Sequence, residues 1–85
     1  MTTSILLAAC AAAPIQEMSD ARQAVQAARE SGVQANDPAL REAEEHLKSA
    51  EQRLKSRDYD AARTEAVQAR DAAIQARKET VKPAE

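Results

Sequence analysis

The chain has 85 residues, with 12 Lys and Arg against 14 Asp and Glu and a formal net charge of -2. That near balance, with Tyr59 as the only aromatic residue, supplies neither the basic stripe nor the stacking rings expected of a nucleic-acid binder. The single glycine leaves no room for a Gly-rich phosphate loop, and no stretch approaches the roughly 20 apolar residues that a membrane-spanning helix needs.

The first sixteen residues carry no charged side chain, and the composition changes abruptly at Glu17. Within that stretch Ile5, Leu6, Leu7, Ala8 and Ala9 run into Cys10, and Ala11 to Ala13 follow. An apolar run closed by small residues is the back half of a secretory signal, because small side chains fit the peptidase pocket. Met1 to Ser4 bring no positive charge, so the expectation is a coding start further upstream and a basic segment ahead of Ile5. Cys10 has no second cysteine to pair with, and lipidation accounts for an unpaired cysteine in an exported chain. The plainer reading is an ordinary free thiol.

Leu7-Ala8-Ala9-Cys10 resembles the bacterial lipobox, a Leu and two small residues before an invariant Cys. The resemblance implies cleavage between Ala9 and Cys10, diacylglycerol on the Cys10 thiol and acylation of the new N-terminus. Several acyl chains on one residue hold a protein stably, since each buried methylene contributes about 0.8 kcal/mol.

Pro14 suits the first turn of a helix, where its missing N–H is no loss. Met18, Ala21, Val25 and Ala28 then repeat at spacings of three and four, one apolar stripe, and Gly32 stands where a helix stops in the left-handed conformation. Residues 32–36 read as a connector. Asp37-Pro38 starts a second helix, with Asp as N-cap and Pro at the first position. Leu40, Ala43, Leu47, Ala50 and Leu54 keep the same spacing without a miss, and Glu44 with Lys48 and Glu51 with Lys55 are placed for pairs one turn apart. After Ser56 the segment 57–60 interrupts the stripe, and Asp58 can cap a third helix carrying Ala62, Ala66, Ala69, Ala73 and Ala76. Val67, Ile74 and Val81 lie on its adjoining edge, a heptad apart. Neither Gly nor Pro stands at the second joint, which leaves a turn or a kink open, with the turn preferred.

The chain therefore divides into an incomplete signal peptide over 1–9, a lipidated N-terminus and tether over 10–14, an alanine-rich helical domain over 15–81 and a frayed tail over 82–85. Helices are expected over about 15–31, 38–56 and 58–80. Short connectors make consecutive helices antiparallel, so the expected fold is all-α, a small antiparallel three-helix bundle; the alternative is a long α-hairpin that self-associates. Hydrophobic residues are 44% of the chain, but most are Ala. At roughly 25 cal/mol per Å² of apolar surface, such a core predicts marginal stability unless a partner, a membrane or a second copy covers the apolar face.

Over nearly its whole length the chain is similar to bacterial lipoproteins carrying domain of unknown function 4398. The likeness rests on the lipobox, the "EMSDARQAVQAARESGV" helix, the Leu and Ala stripe of the second helix and "DYDAARTEAVQARDAA" in the third. It implies an envelope helical domain and supplies no activity. Residues 50–69 also resemble one tetratricopeptide helix pair through Ala50, Tyr59, Ala62 and Ala69, but Arg57 stands where that repeat prefers Gly, and one unit builds no solenoid. Covalent wall attachment, as in the murein-linked lipoprotein, needs a C-terminal Lys, whereas Lys82 is followed by Pro83-Ala84-Glu85.

Little in the chain points to chemistry. His46 is the sole histidine, with Glu42 and Glu45 nearby on the second helix, and reads as part of a solvated face; structural zinc takes four ligands, and neither a metal nor a cofactor is expected. Arg63, Arg70 and Arg77 stand a heptad apart, as do Arg22 and Arg29. They read first as long stems covering the alanine seam. The sharper reading makes Arg63, Arg70 and Arg77 contacts to an anionic envelope polymer such as lipopolysaccharide phosphate or wall carboxylates.

The expected function is non-enzymatic: an envelope lipoprotein with a structural or interaction role, anchored by lipid on Cys10, with an envelope protein or a second copy as partner. Ala11 lacks the Asp that retains some lipoproteins at the inner membrane, which favours the outer membrane, facing the periplasm, by analogy. The alternative is an unanchored soluble helical binding module or small oligomer.

Overall fold

The computed structural model describes residues 12–80. Ala9 and Cys10 at the expected cleavage and lipidation site, and Val81, expected on the edge adjoining the alanine stripe, lie outside the described residues. Three helices follow in chain order, α1 Ile15–Glu30, α2 Pro38–Lys55 and α3 Tyr59–Thr80.

Each helix boundary has a local cause. Pro14, expected in the first turn, takes the N-cap position of α1 instead, where its ring is fully buried and its carbonyl accepts from the Met18 N–H at 3.0 Å. Glu17 in the first turn and Arg29 in the last complement the helix dipole. The helix stops at Gly32, whose φ of 94° is a conformation glycine adopts without a side-chain clash. The Val33 N–H then donates back to the Ala28 carbonyl at 3.4 Å, folding the Val33 side chain onto the core although it lies in the connector. At the start of α2 the Asp37 carboxylate accepts from the Leu40 N–H at 3.0 Å, and Pro38 follows at the first helical position.

The joint between α2 and α3 is a turn. The Asp58 N–H donates to the Arg53 carbonyl at 2.9 Å and the Arg57 N–H to that of Leu54 at 3.0 Å, the paired bonds of a Schellman stop. That motif places one residue in the left-handed region, and here it is Arg57, with φ 63°. A side chain in that conformation is disfavoured by about 1 kcal/mol or more. The Asp58 carbonyl accepts from the Ala62 N–H at 2.9 Å and opens α3.

With both joints tight, α2 runs antiparallel to α1 and α3, and the result is a three-helix bundle rather than a long hairpin. The widest interface joins α2 to α3, α1 rests mainly on α3, and α1 and α2 touch least. The core has two sections. Val25, Ala28, Val33, Leu40, Ala43, Ala73 and Ala76 fill the one towards the α1–α2 connector. Met18, Ala21, Ala50, Ala66 and Ala69 fill the other, and Leu47 packs against both. The stripes of α1 and α3 are buried throughout; on α2, Leu40, Ala43 and Ala50 are buried while Leu47 and Leu54 are half-buried.

Ala62, Ala66, Ala69, Ala73 and Ala76 are all at 0% exposure. Helix separation depends on the side chains at the contact, and methyl groups permit a closer approach than any larger side chain. Close packing leaves no space for a larger side chain. Ala69→Leu is therefore expected to destabilise the bundle by about 1–3 kcal/mol through overpacking. Arg57→Gly is expected to stabilise it by about 0.5–1 kcal/mol by relieving the left-handed backbone. Urea unfolding followed by circular dichroism measures both, and opposite signs for the two variants are the expected result.

Candidate functional site

The arginine row is the first place where tertiary structure changes the sequence reading. Arg63 is engaged with three groups: its Nε lies 3.6 Å from Glu17 Oε2, its Nη1 3.2 Å from Asp60 Oδ1, and its Nη2 donates to the Ala12 carbonyl at 3.4 Å. It thus ties the entry to α1 onto α3. Arg70 donates through Nε and Nη2 to Asp71 Oδ1 at 3.0 and 2.8 Å. Arg77 is exposed, with no carboxylate at ion-pair distance among the described residues. The three cations expected to form one anion-binding row therefore stand in three different settings.

The arginines of α1 are used across the least-packed interface. Arg22 Nε donates to Glu51 Oε2 at 3.4 Å, and Arg29 to Glu44 Oε2 through Nε at 3.0 Å and Nη2 at 2.9 Å. Glu44 and Glu51 were expected to pair with Lys48 and Lys55 one turn on, yet both reach across to α1. The neighbouring helix brings a guanidinium that can donate more than one bond to a carboxylate, which a lysine on the same helix does not match. Between these pairs runs an open groove floored by Val25 and Leu47.

His46 also finds its partner on another helix. Its ring is half-buried, and Nδ1 lies 2.7 Å from Glu65 Oε1 on α3. An ionised carboxylate accepts only, so Nδ1 is assigned as the protonated nitrogen. Glu42 Oε2 stands 3.7 Å from Nε2, while Glu45 is exposed to solvent. The solvated-face reading of His46 is sharpened: the half-buried imidazole clasps α2 to α3 at the edge of a shallow groove lined by Ala39, Gln68, Ala72 and Gln75. Among the described residues no group of three or more His, Cys, Asp or Glu side chains is arranged to hold a metal ion. None of the described polar or charged side chains is fully buried.

Sequence reasoning missed Glu65. A signal for it existed, because Glu65 precedes the seam residue Ala66 and His46 precedes the stripe residue Leu47. Residues beside a buried stripe border the interface, but only packing decides which two meet. A double-mutant cycle of His46→Ala and Glu65→Ala in urea unfolding is expected to show a coupling of about 0.5–1.5 kcal/mol, the range for one partly shielded hydrogen bond. Additive effects would show that the contact contributes nothing.

Fold and surface together define a small all-α helical bundle with an ion-paired exterior and open, polar-rimmed grooves. The chain belongs to the family described as domain of unknown function (DUF4398), whose model matches residues 16–82. No curated protein and no solved structure matches it.

Proposed function

We propose that this chain is a non-enzymatic, lipid-anchored protein of the bacterial envelope, in which the bundle presents helical surfaces at a membrane. The observation that carries this reading is Leu7-Ala8-Ala9-Cys10, a lipobox pattern placed four residues ahead of Pro14 and the first helix. The described surface fits an interaction role, since an open groove lies along helices bridged by Arg22–Glu51 and Arg29–Glu44. No helix among the described residues is long and apolar enough to cross a membrane, and the lipid supplies the attachment in this reading. Ala11, in the place where some inner-membrane lipoproteins carry Asp, supports the outer membrane and its periplasmic face.

Intact-mass measurement of the protein isolated from its own membranes tests the proposal. The expected product begins at Cys10 and carries diacylglycerol and an amide-linked acyl chain, and Cys10→Ala moves the protein from the membrane to the soluble fraction. A chain that retains Met1 and a free thiol would falsify the anchor and leave a soluble helical binding module.

A further inference from the structure

We infer that the end of the bundle where α1 begins and α2 turns into α3 lies against the phospholipid headgroups, and that Ile15, Lys55 and Arg57 make that contact. This rests on the proposed lipid at Cys10.

Chain length limits how far a lipid on Cys10 can stand from the bundle. Consecutive Cα atoms are 3.8 Å apart, so the Cα of Cys10 lies within about 8 Å of that of Ala12 whatever path the intervening residue takes. Ala12 is itself held at this end, its carbonyl accepting from Arg63 Nη2 at 3.4 Å, and Pro14 two residues on is fully buried. The opposite end, with Gly32 and Asp37, is about 24 Å away along α1, at 1.5 Å per residue. A lipid on Cys10 therefore brings one end of the bundle to the bilayer and not the other.

That end is suited to the contact. Ile15 is 75% exposed, the most exposed large apolar side chain among the described residues. Of the carboxylates here, Glu17 and Asp60 share Arg63, Asp58 lies 3.7 Å from Arg53, and Asp20 accepts from Gln16. Lys55 and Arg57 are exposed and have no carboxylate at ion-pair distance among the described residues, so these two cations are free to meet headgroup phosphate. Arg57 is also the residue held at φ 63°, where glycine would be relaxed. Basic residues near an anionic surface strengthen binding by about fivefold each.

The chain has no tryptophan, so a single one reports position. Natively lipidated Ile15→Trp and Gln34→Trp proteins, one at each end, would be reconstituted in vesicles of phosphatidylethanolamine and phosphatidylglycerol with brominated acyl chains. Quenching at least threefold stronger at position 15 than at position 34 is expected. Adding Lys55→Gln and Arg57→Gly, the second of which also relaxes the turn, is expected to reduce quenching at position 15 by half or more. Equal quenching at the two positions on protein whose mass shows the lipid overturns the orientation and leaves the anchor standing. Undiminished quenching in the charge-removed variant overturns the role of Lys55 and Arg57. A mass showing an unmodified Cys10 overturns the anchor and the orientation with it.

Discussion

Everything else in this fold depends on the contact made by the methyl groups of Ala62, Ala66, Ala69, Ala73 and Ala76. They lie along one line of α3 at zero exposure, so α1 and α2 both come to rest against that helix. The seam buries little area per residue, and hydrophobic gain scales with area. Dispersion between closely approaching backbones supplies what bulky side chains would supply elsewhere. The larger apolar groups are few, and Met18, Val25 and Leu40 are the ones wholly enclosed. Leu47 connects the two sections of the core, giving α2 a continuous hold on the bundle.

A core this narrow brings the polar rims of the helices close together. Arg22 reaches Glu51, Arg29 reaches Glu44, and His46 reaches Glu65, each across an interface rather than along a helix. Exposed ion pairs contribute from nothing to about 1 kcal/mol apiece, so their larger consequence is for the surface. Of the arginines that could have formed a cationic row, Arg63 and Arg70 are held by carboxylates and Arg77 is not, and cations without a carboxylate at ion-pair distance remain at several places among the described residues. The turn at Arg57 is one of them, and it adjoins the point where the chain enters α1.

A lipidated Cys10 would give these facts a common sense. A bundle whose described grooves are open, attached by a short tether at one end, would act through where it stands and which faces it turns outward. Its membrane-side end would combine Ile15 with free cations, and the connector between α1 and α2 would face away from the bilayer.

The three helices could be read from the chain because their causes are local. Asp37-Pro38 and Gly32 act within a turn of themselves, and the stripes from Met18, Leu40 and Ala62 record a helical period that needs no knowledge of a neighbour. The second joint was harder, since Arg57 occupies a conformation that composition assigns to glycine and only the two bonds to Arg53 and Leu54 reveal it. Side-chain partnership lay beyond local reading. Glu44 stands equally well for Lys48 or Arg29 on paper, and His46 and Glu65, nineteen residues apart, each border a stripe with nothing local to match them to each other. Those choices follow from the rotation and axial offset of one helix against another, which the alanine seam sets by close packing and which exist only once the helices have met.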